Sequence, residues 1–203
     1  MDDATMEDAM TRMPQLTPET AGVEQRDLLE ATRRQLGRVP NLYASLANGP
    51  AALRGYLALR DSLAGGVLTE RLREQLALLV AQENGCTYCV SAHTLRGGRL
   101  LRMTDDELLA TRRAEDADPH ARAVLRVAAA VVRSRGRVDD ELLDRARQDG
   151  VTDAELAEIV AHVALNTLSN YFNHLAEPEL DFPAVDPAVD PEALPVADAG
   201  AVR

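Results

Sequence analysis

Leu72-Arg73-Glu74-Gln75-Leu76-Ala77-Leu78-Leu79-Val80-Ala81-Gln82-Glu83-Asn84-Gly85-Cys86-Thr87-Tyr88-Cys89-Val90-Ser91-Ala92-His93 is the stretch on which the fold turns. Its first half is rich in Leu, Ala and Val at helical spacing, with neither Gly nor Pro before Asn84. Thr69 stands where an N-cap belongs and Asn84-Gly85 offers a left-handed stop, so the pattern predicts a helix from Glu70 to about Glu83. A second helix is predicted to start at or near Cys86 and to stop at Gly97-Gly98. A turn this short folds the two helices back on each other and can bring Glu74 toward the Cys helix.

Outward from this hairpin the helical signals continue. Thr104-Asp105-Asp106-Glu107 and Thr152-Asp153-Ala154-Glu155 both fit a capping box, so helices are predicted to begin there. Between them, Pro119 to Ser134 and Val138 to Gln148 read as helix, broken near Gly136 and Gly150. Upstream, Thr17-Pro18-Glu19 reads as an N-cap with Pro at the first helical position, opening a helix to Gln35. Gly37 and Pro40 punctuate, residues 41–47 form a short helix, and Pro50 opens another that carries Leu53, Tyr56, Leu57 and Leu63. The expectation is an all-α bundle of about eight or nine helices. Composition agrees: the 203 residues are 46% hydrophobic but only 3% aromatic, with one isoleucine, Ile159. Ala, Leu and Val suit close-packed helices better than a sandwich of strands.

Three segments are expected. Residues 1–16, which hold four of the five Met, read as a loose acidic arm, and 17–177 as the helical domain. Residues 178–203 contain five of the ten Pro and read as an extended or disordered tail unless a neighbouring subunit holds it.

The net charge of −11 disfavours nucleic acid and anionic membrane as partners. All 22 basic residues are Arg, which excludes Schiff-base chemistry on a lysine. No basic-then-apolar leader is visible near Met1, and the longest apolar runs fall short of a span, so a soluble cytoplasmic protein is expected. In a reducing compartment, two Cys at C-x-x-C spacing point to redox chemistry or metal binding.

Thiol chemistry needs a thiolate, a route for the proton and a second sulfur. Cys86 and Cys89 are three apart and share one face at a helix start, where the helix dipole favours the thiolate. His93 follows Cys89 by one turn. Glu74 has Ala77, Leu78 and Ala81 as helical neighbours; on such a stripe an unpaired carboxylate is expected to be buried, with its pKa raised. Bland readings stand beside these: two small buried cysteines, an ordinary Glu74–Arg71 ion pair, or a zinc site on Cys86, Cys89 and His93 that lacks a fourth ligand. Tyr88 reads as packing at the helix start with its hydroxyl near the sulfurs. His162, Asn166, Asn170 and His174 recur every four residues, lining a pocket or satisfying each other between helices. Asn170 and His174 are secondary site candidates.

The run Glu74, eleven residues, Cys86-x-x-Cys89, three residues, His93 resembles the signature of the AhpD-like branch of the carboxymuconolactone decarboxylase superfamily. Asn170-Tyr171-Phe172-Asn173-His174, followed by Asp181-Phe182-Pro183, resembles the closing helix of its peroxidase-related members, and the likeness spans roughly residues 22 to 183. The resemblance implies an AhpD-like helical fold assembled as a homotrimer or hexamer, with no bound cofactor or metal. It also implies Cys89 as peroxidatic thiolate activated by His93 and Glu74, and Cys86 as the more accessible resolving sulfur that meets an external dithiol. The expected reaction is hydroperoxide reduction through a Cys86–Cys89 disulfide. Tyr88 stands where well-studied members carry a second His, and a phenol with its usual pKa near ~10 accepts no proton at neutral pH. Two alternatives remain open: a biosynthetic enzyme using the same pocket for other chemistry on a metabolite, and a redox-sensing assembly module.

Overall fold

The computed structural model describes residues 12–188. Among them there are nine helices and no strand: α1 (Val23–Leu36), α2 (Asn41–Leu46), α3 (Pro50–Ala64), α4 (Glu70–Glu83), α5 (Thr87–Leu100), α6 (Asp105–Arg112), α7 (Pro119–Ser134), α8 (Asp140–Gln148) and α9 (Asp153–Ala176). The all-α expectation holds.

Helix α4 is the hub and packs against α5, α6, α7 and α9. Every residue from Glu74 to Ala81 is buried, so it is covered on all sides and its two polar side chains must find internal partners. One apolar cluster joins Leu76, Leu79 and Val80 to Val124, Leu125 and Ala128 of α7 and to Ile159 of α9. A second surrounds the cysteines and includes Leu42, Leu78, Val90 and Leu108.

The helix starts follow the predicted caps. Thr69 accepts from the Leu72 N–H at 3.2 Å, and both Thr104/Glu107 and Thr152/Glu155 close reciprocal capping boxes. Gly85 takes φ +66° and lets the chain reverse between α4 and α5.

Three boundaries differ from expectation. The first helix starts at Val23 rather than near Thr17, because Thr17 and Thr20 bond each other's backbone and close a separate turn ahead of Gly22. Helix α5 runs through Gly97 and Gly98 to Leu100. There Gly97 serves close approach, since a Cβ at that position would lie 2.8 Å from Leu108 Cδ2. Residues 178–188 are also fastened within the chain itself, without a neighbouring subunit. Asp181 accepts from the Asn41 N–H at 2.8 Å, the Val185 N–H donates to Ser91 Oγ at 2.8 Å, and Gln82 donates to the Pro187 carbonyl at 2.9 Å. At the other end, the Arg12 N–H donates to the Ala176 carbonyl and the Leu16 N–H to that of Ala44. The outer parts of the expected arm and tail, 1–11 and 189–203, lie outside the described residues.

Candidate active site

Helix α5 begins at the sulfurs. Cys86 is its N-cap, and Sγ accepts from the Cys89 N–H at 3.4 Å, one of the donors a helix start leaves unpaired. Asn173 reaches in from α9, with Nδ2 3.1 Å from Cys89 Sγ and 4.0 Å from Cys86 Sγ. Beside it, Asn84 Nδ2 donates to Asn170 Oδ1 at 2.9 Å, tying the α4–α5 turn to α9.

Cys86 is 1% and Cys89 3% exposed, so Cys86 is not the more accessible of the two. The thiols share a proton unequally. Hydrogen bonding from Cys89's side chain and backbone, with Asn173, holds Cys86 below the usual thiol range against the opposing effect of burial. Donation to Cys86 and burial push Cys89 well above it. Of the two sulfurs, Cys86 is therefore the one that gives up its proton more readily, whereas the resemblance puts the reactive anion on Cys89.

Glu74 and His93 do meet. His93 Nδ1 lies 2.7 Å from Glu74 Oε1, which leaves Nε2 for proton traffic. Glu74 is not the unpaired carboxylate of the sequence reading, because Arg96 Nε holds its second oxygen at 2.8 Å. Nor is Arg71 its partner; that guanidinium pairs with Glu107 at 2.5 Å. Arg96 was missed, although it sits one turn beyond His93 on the same face.

Tyr88 has a different job from a relay. Its hydroxyl donates to the Asp181 carboxylate and accepts from the Leu42 N–H at 3.2 Å. Its ring meets Phe182 edge-on, with centroids 5.4 Å apart. Burial and the Asp181 carboxylate both raise its pKa, so it stays a neutral donor that clamps residues 181–182 over α5.

The two sulfurs face different openings. Cys89 and His93 line a cavity of about 560 Å³ with Tyr56, His162, Asn166 and Ser169. Cys86 lines a separate cleft with Asn173, His174, Pro178 and Leu180. Thus His174 sits by Cys86 and away from the main cavity, stacked on Tyr171 at 6.4 Å. Asn173, missed in the sequence reading, is the residue of this part of α9 that reaches the sulfurs. Among the described residues no three His, Cys, Asp or Glu side chains converge as a metal site, and no helix is long and apolar enough to cross a membrane.

Residues 50–131 match the model of the Carboxymuconolactone decarboxylase family. A Mycobacterium tuberculosis protein named an alkyl hydroperoxide reductase is 32% identical over 80 residues, 39% of this chain and 23% of that protein. The match thus spans about a quarter of the relative's length. An AhpD-core, peroxidase-related protein from Ralstonia eutropha JMP134 superposes with TM-score 0.73 at 27% identity, over 84% of this chain and 92% of its own. The debrominase Bmp8, solved with a tribromopyrrole, superposes with TM-score 0.70 at 19% identity, over 91% and 96%. At that identity the likeness is one of fold.

Proposed function

We propose that the chain, whose residues 50–131 match the Carboxymuconolactone decarboxylase family and whose fold matches an AhpD-core protein, is a thiol-dependent oxidoreductase of AhpD-like type that reduces an organic hydroperoxide. The observation that carries this reading is the shared cavity: Cys89 and His93 open onto it together, with His93 braced 2.7 Å from Glu74.

In the proposed cycle the Cys89 thiol gives its proton to His93 as its sulfur attacks the terminal peroxide oxygen. The O–O bond breaks, an S–O bond forms, and the leaving alkoxide takes that proton to give ROH and a sulfenic acid on Cys89. The Cys86 thiolate then attacks the Cys89 sulfur. An S–S bond forms and hydroxide leaves as water, with one proton drawn from solvent through His93 and Glu74. An external dithiol reduces the disulfide by two exchanges and is itself oxidised to a disulfide. The readier deprotonation of Cys86 suits its part in the second step. The position of Cys89 in the larger cavity suits the first.

The test is hydroperoxide consumption with excess dithiol, for the wild type, Cys86→Ser and Cys89→Ser. Turnover lost in both variants is the expected result; turnover retained in either one overturns the two-sulfur cycle.

One observation favours a second reading, in which the same pocket performs other chemistry on a metabolite. A cavity of about 560 Å³ exceeds what the peroxide group alone needs and matches a drug-sized ligand. Activity on a metabolite without hydroperoxide turnover would select it. Self-assembly as a trimer or hexamer also belongs to the proposal. The outer face of α9 exposes Val160, Leu168, Tyr171 and Leu175, and sedimentation at micromolar concentration measures whether copies cover it.

A further inference from the structure

We propose that the cavity above Cys89 binds an amphiphile with an apolar body and a terminal carboxylate, so that the preferred substrate is a hydroperoxide carrying a carboxylate; this rests on the reading of Cys89 as the hydroperoxide-reducing sulfur. The first observation is an inversion of charge. The chain carries −11 overall, yet Arg38, Arg60, Arg73, Arg96 and Arg99 line this one cavity against Asp61, Glu70 and Glu74.

The three carboxylates are already engaged. Glu74 is held by His93 and Arg96, Glu70 lies 3.6 Å from Arg96, and Asp61 pairs with Arg60 at 2.8 Å. Arg38 is occupied by Asp181 at 3.5 Å and lies over the Phe182 ring at 5.0 Å. That leaves Arg73 and Arg99, neither of which has a carboxylate within ion-pair distance among the described residues. Arg73 spends one N–H on the Leu68 carbonyl at 2.6 Å and keeps the rest of its fork.

A second observation comes from α9. His162 lines the same cavity, is 4% exposed, and has a buried Nε2 with no partner among the described residues. A buried ring nitrogen left unpaired costs stability unless something pairs with it. Burial and the charge of Arg73 lower the pKa of His162, so its neutral ring can donate to an anion while Arg73 supplies the charge. Beside the neutral polar groups of Gln35, Asn166 and Ser169, much of the wall is apolar, with Leu36, Leu42, Ala77, Leu95, Leu165 and Phe182. An unpaired cationic fork at one part of a largely apolar cavity recognises an acid with a hydrocarbon body.

Binding of an unreactive probe separates this inference from the proposed catalysis. Octanoate and octan-1-ol are titrated by calorimetry into the reduced wild type, Arg99→Gln and Arg73→Gln/Arg99→Gln, with thermal melts confirming that each variant is folded. The expected result is octanoate bound about tenfold or more tighter than the alcohol in the wild type, the preference shrinking in the single variant and vanishing in the double. Raised salt also weakens octanoate but not the alcohol. Equal binding of the two probes, no binding of octanoate, or a preference that survives the double substitution in folded protein overturns the inference. Octanoate bound with the expected preference by a protein that turns over no hydroperoxide leaves the anion site standing and removes the peroxidase reading instead.

Discussion

Tyr88→Phe tests whether the phenol is a clamp or part of the proton path. The hydroxyl makes two hydrogen bonds, one to the Asp181 carboxylate and one from the Leu42 N–H. A bond to a charged acceptor is worth about 1.5–3 kcal/mol, and a buried N–H left unpaired costs about 1–3 kcal/mol. Asp181 keeps the Asn41 N–H at 2.8 Å and Arg38 at 3.5 Å, and the Phe182 edge contact survives in the variant. Because Asp181 keeps those partners, the loss falls toward the lower end of the combined range, at about 3 kcal/mol. For a chain of this size that corresponds to a fall in Tm of roughly 6–12 °C. The assay is denaturant and thermal unfolding of wild type, Tyr88→Phe, Asp181→Ala and the double variant. The cycle should return a coupling of about 1–3 kcal/mol between the two positions. The shape of the pH–rate profile for hydroperoxide turnover should be unchanged. Stability within about 0.5 kcal/mol of wild type, or a displaced pH–rate limb in the Phe variant, would refute the clamp and return Tyr88 to the proton path.

Three further outcomes follow from the same geometry. Tyr56 and Tyr88 both have pKa values raised above 10.0 by burial; the native state then holds protons that the unfolded state releases, so stability is intact below about pH 10 and falls above it. Tyr88→Phe should lose stability less steeply over that alkaline window, as read by denaturant midpoints at a series of pH values. Asn173→Ala removes an amide donor that lowers both thiol pKa values; iodoacetamide rates against pH should show thiol titration moved upward, and an unmoved curve would deny Asn173 its role at the sulfurs. Glu74→Gln keeps the shape but removes the carboxylate beside His93 and Arg96. It should cut hydroperoxide turnover on the order of 10²-fold while both thiols remain titratable.

Much of this was legible before any coordinates. Helix starts marked by Thr69, Thr104 and Thr152 carry their own local chemistry, as does the reversal at Gly85; the short turn brings Glu74 toward the Cys helix, while its contact with His93 depends on how the two helices pack. What escaped needed three dimensions. Gly97 looks like a stop until Leu108 is packed on it. Asp181 and Tyr88 lie 93 residues apart, and nothing local joins them. Asn173 was passed over for its neighbour His174 because a period of four was used for the stripe. At about 100° per residue, twelve residues on from His162 lies about 120° off its face, whereas eleven lies only about 20° off. A strict 3.6-residue period therefore selects Asn173 for the site and sends His174 outward, where its residue is exposed. Arg96 was readable by the same rule, one turn after His93.

The division of labour between the sulfurs is the central claim, and it runs against the readier deprotonation of Cys86. Dimedone trapping with peptide mass spectrometry tests it most directly: each single Cys→Ser variant is exposed to one equivalent of an organic hydroperoxide, and the sulfenic acid adduct is located. The account predicts an adduct on Cys89 in Cys86→Ser and none on Cys86 in Cys89→Ser. An adduct on Cys86, with Cys89 left unmodified, would contradict it.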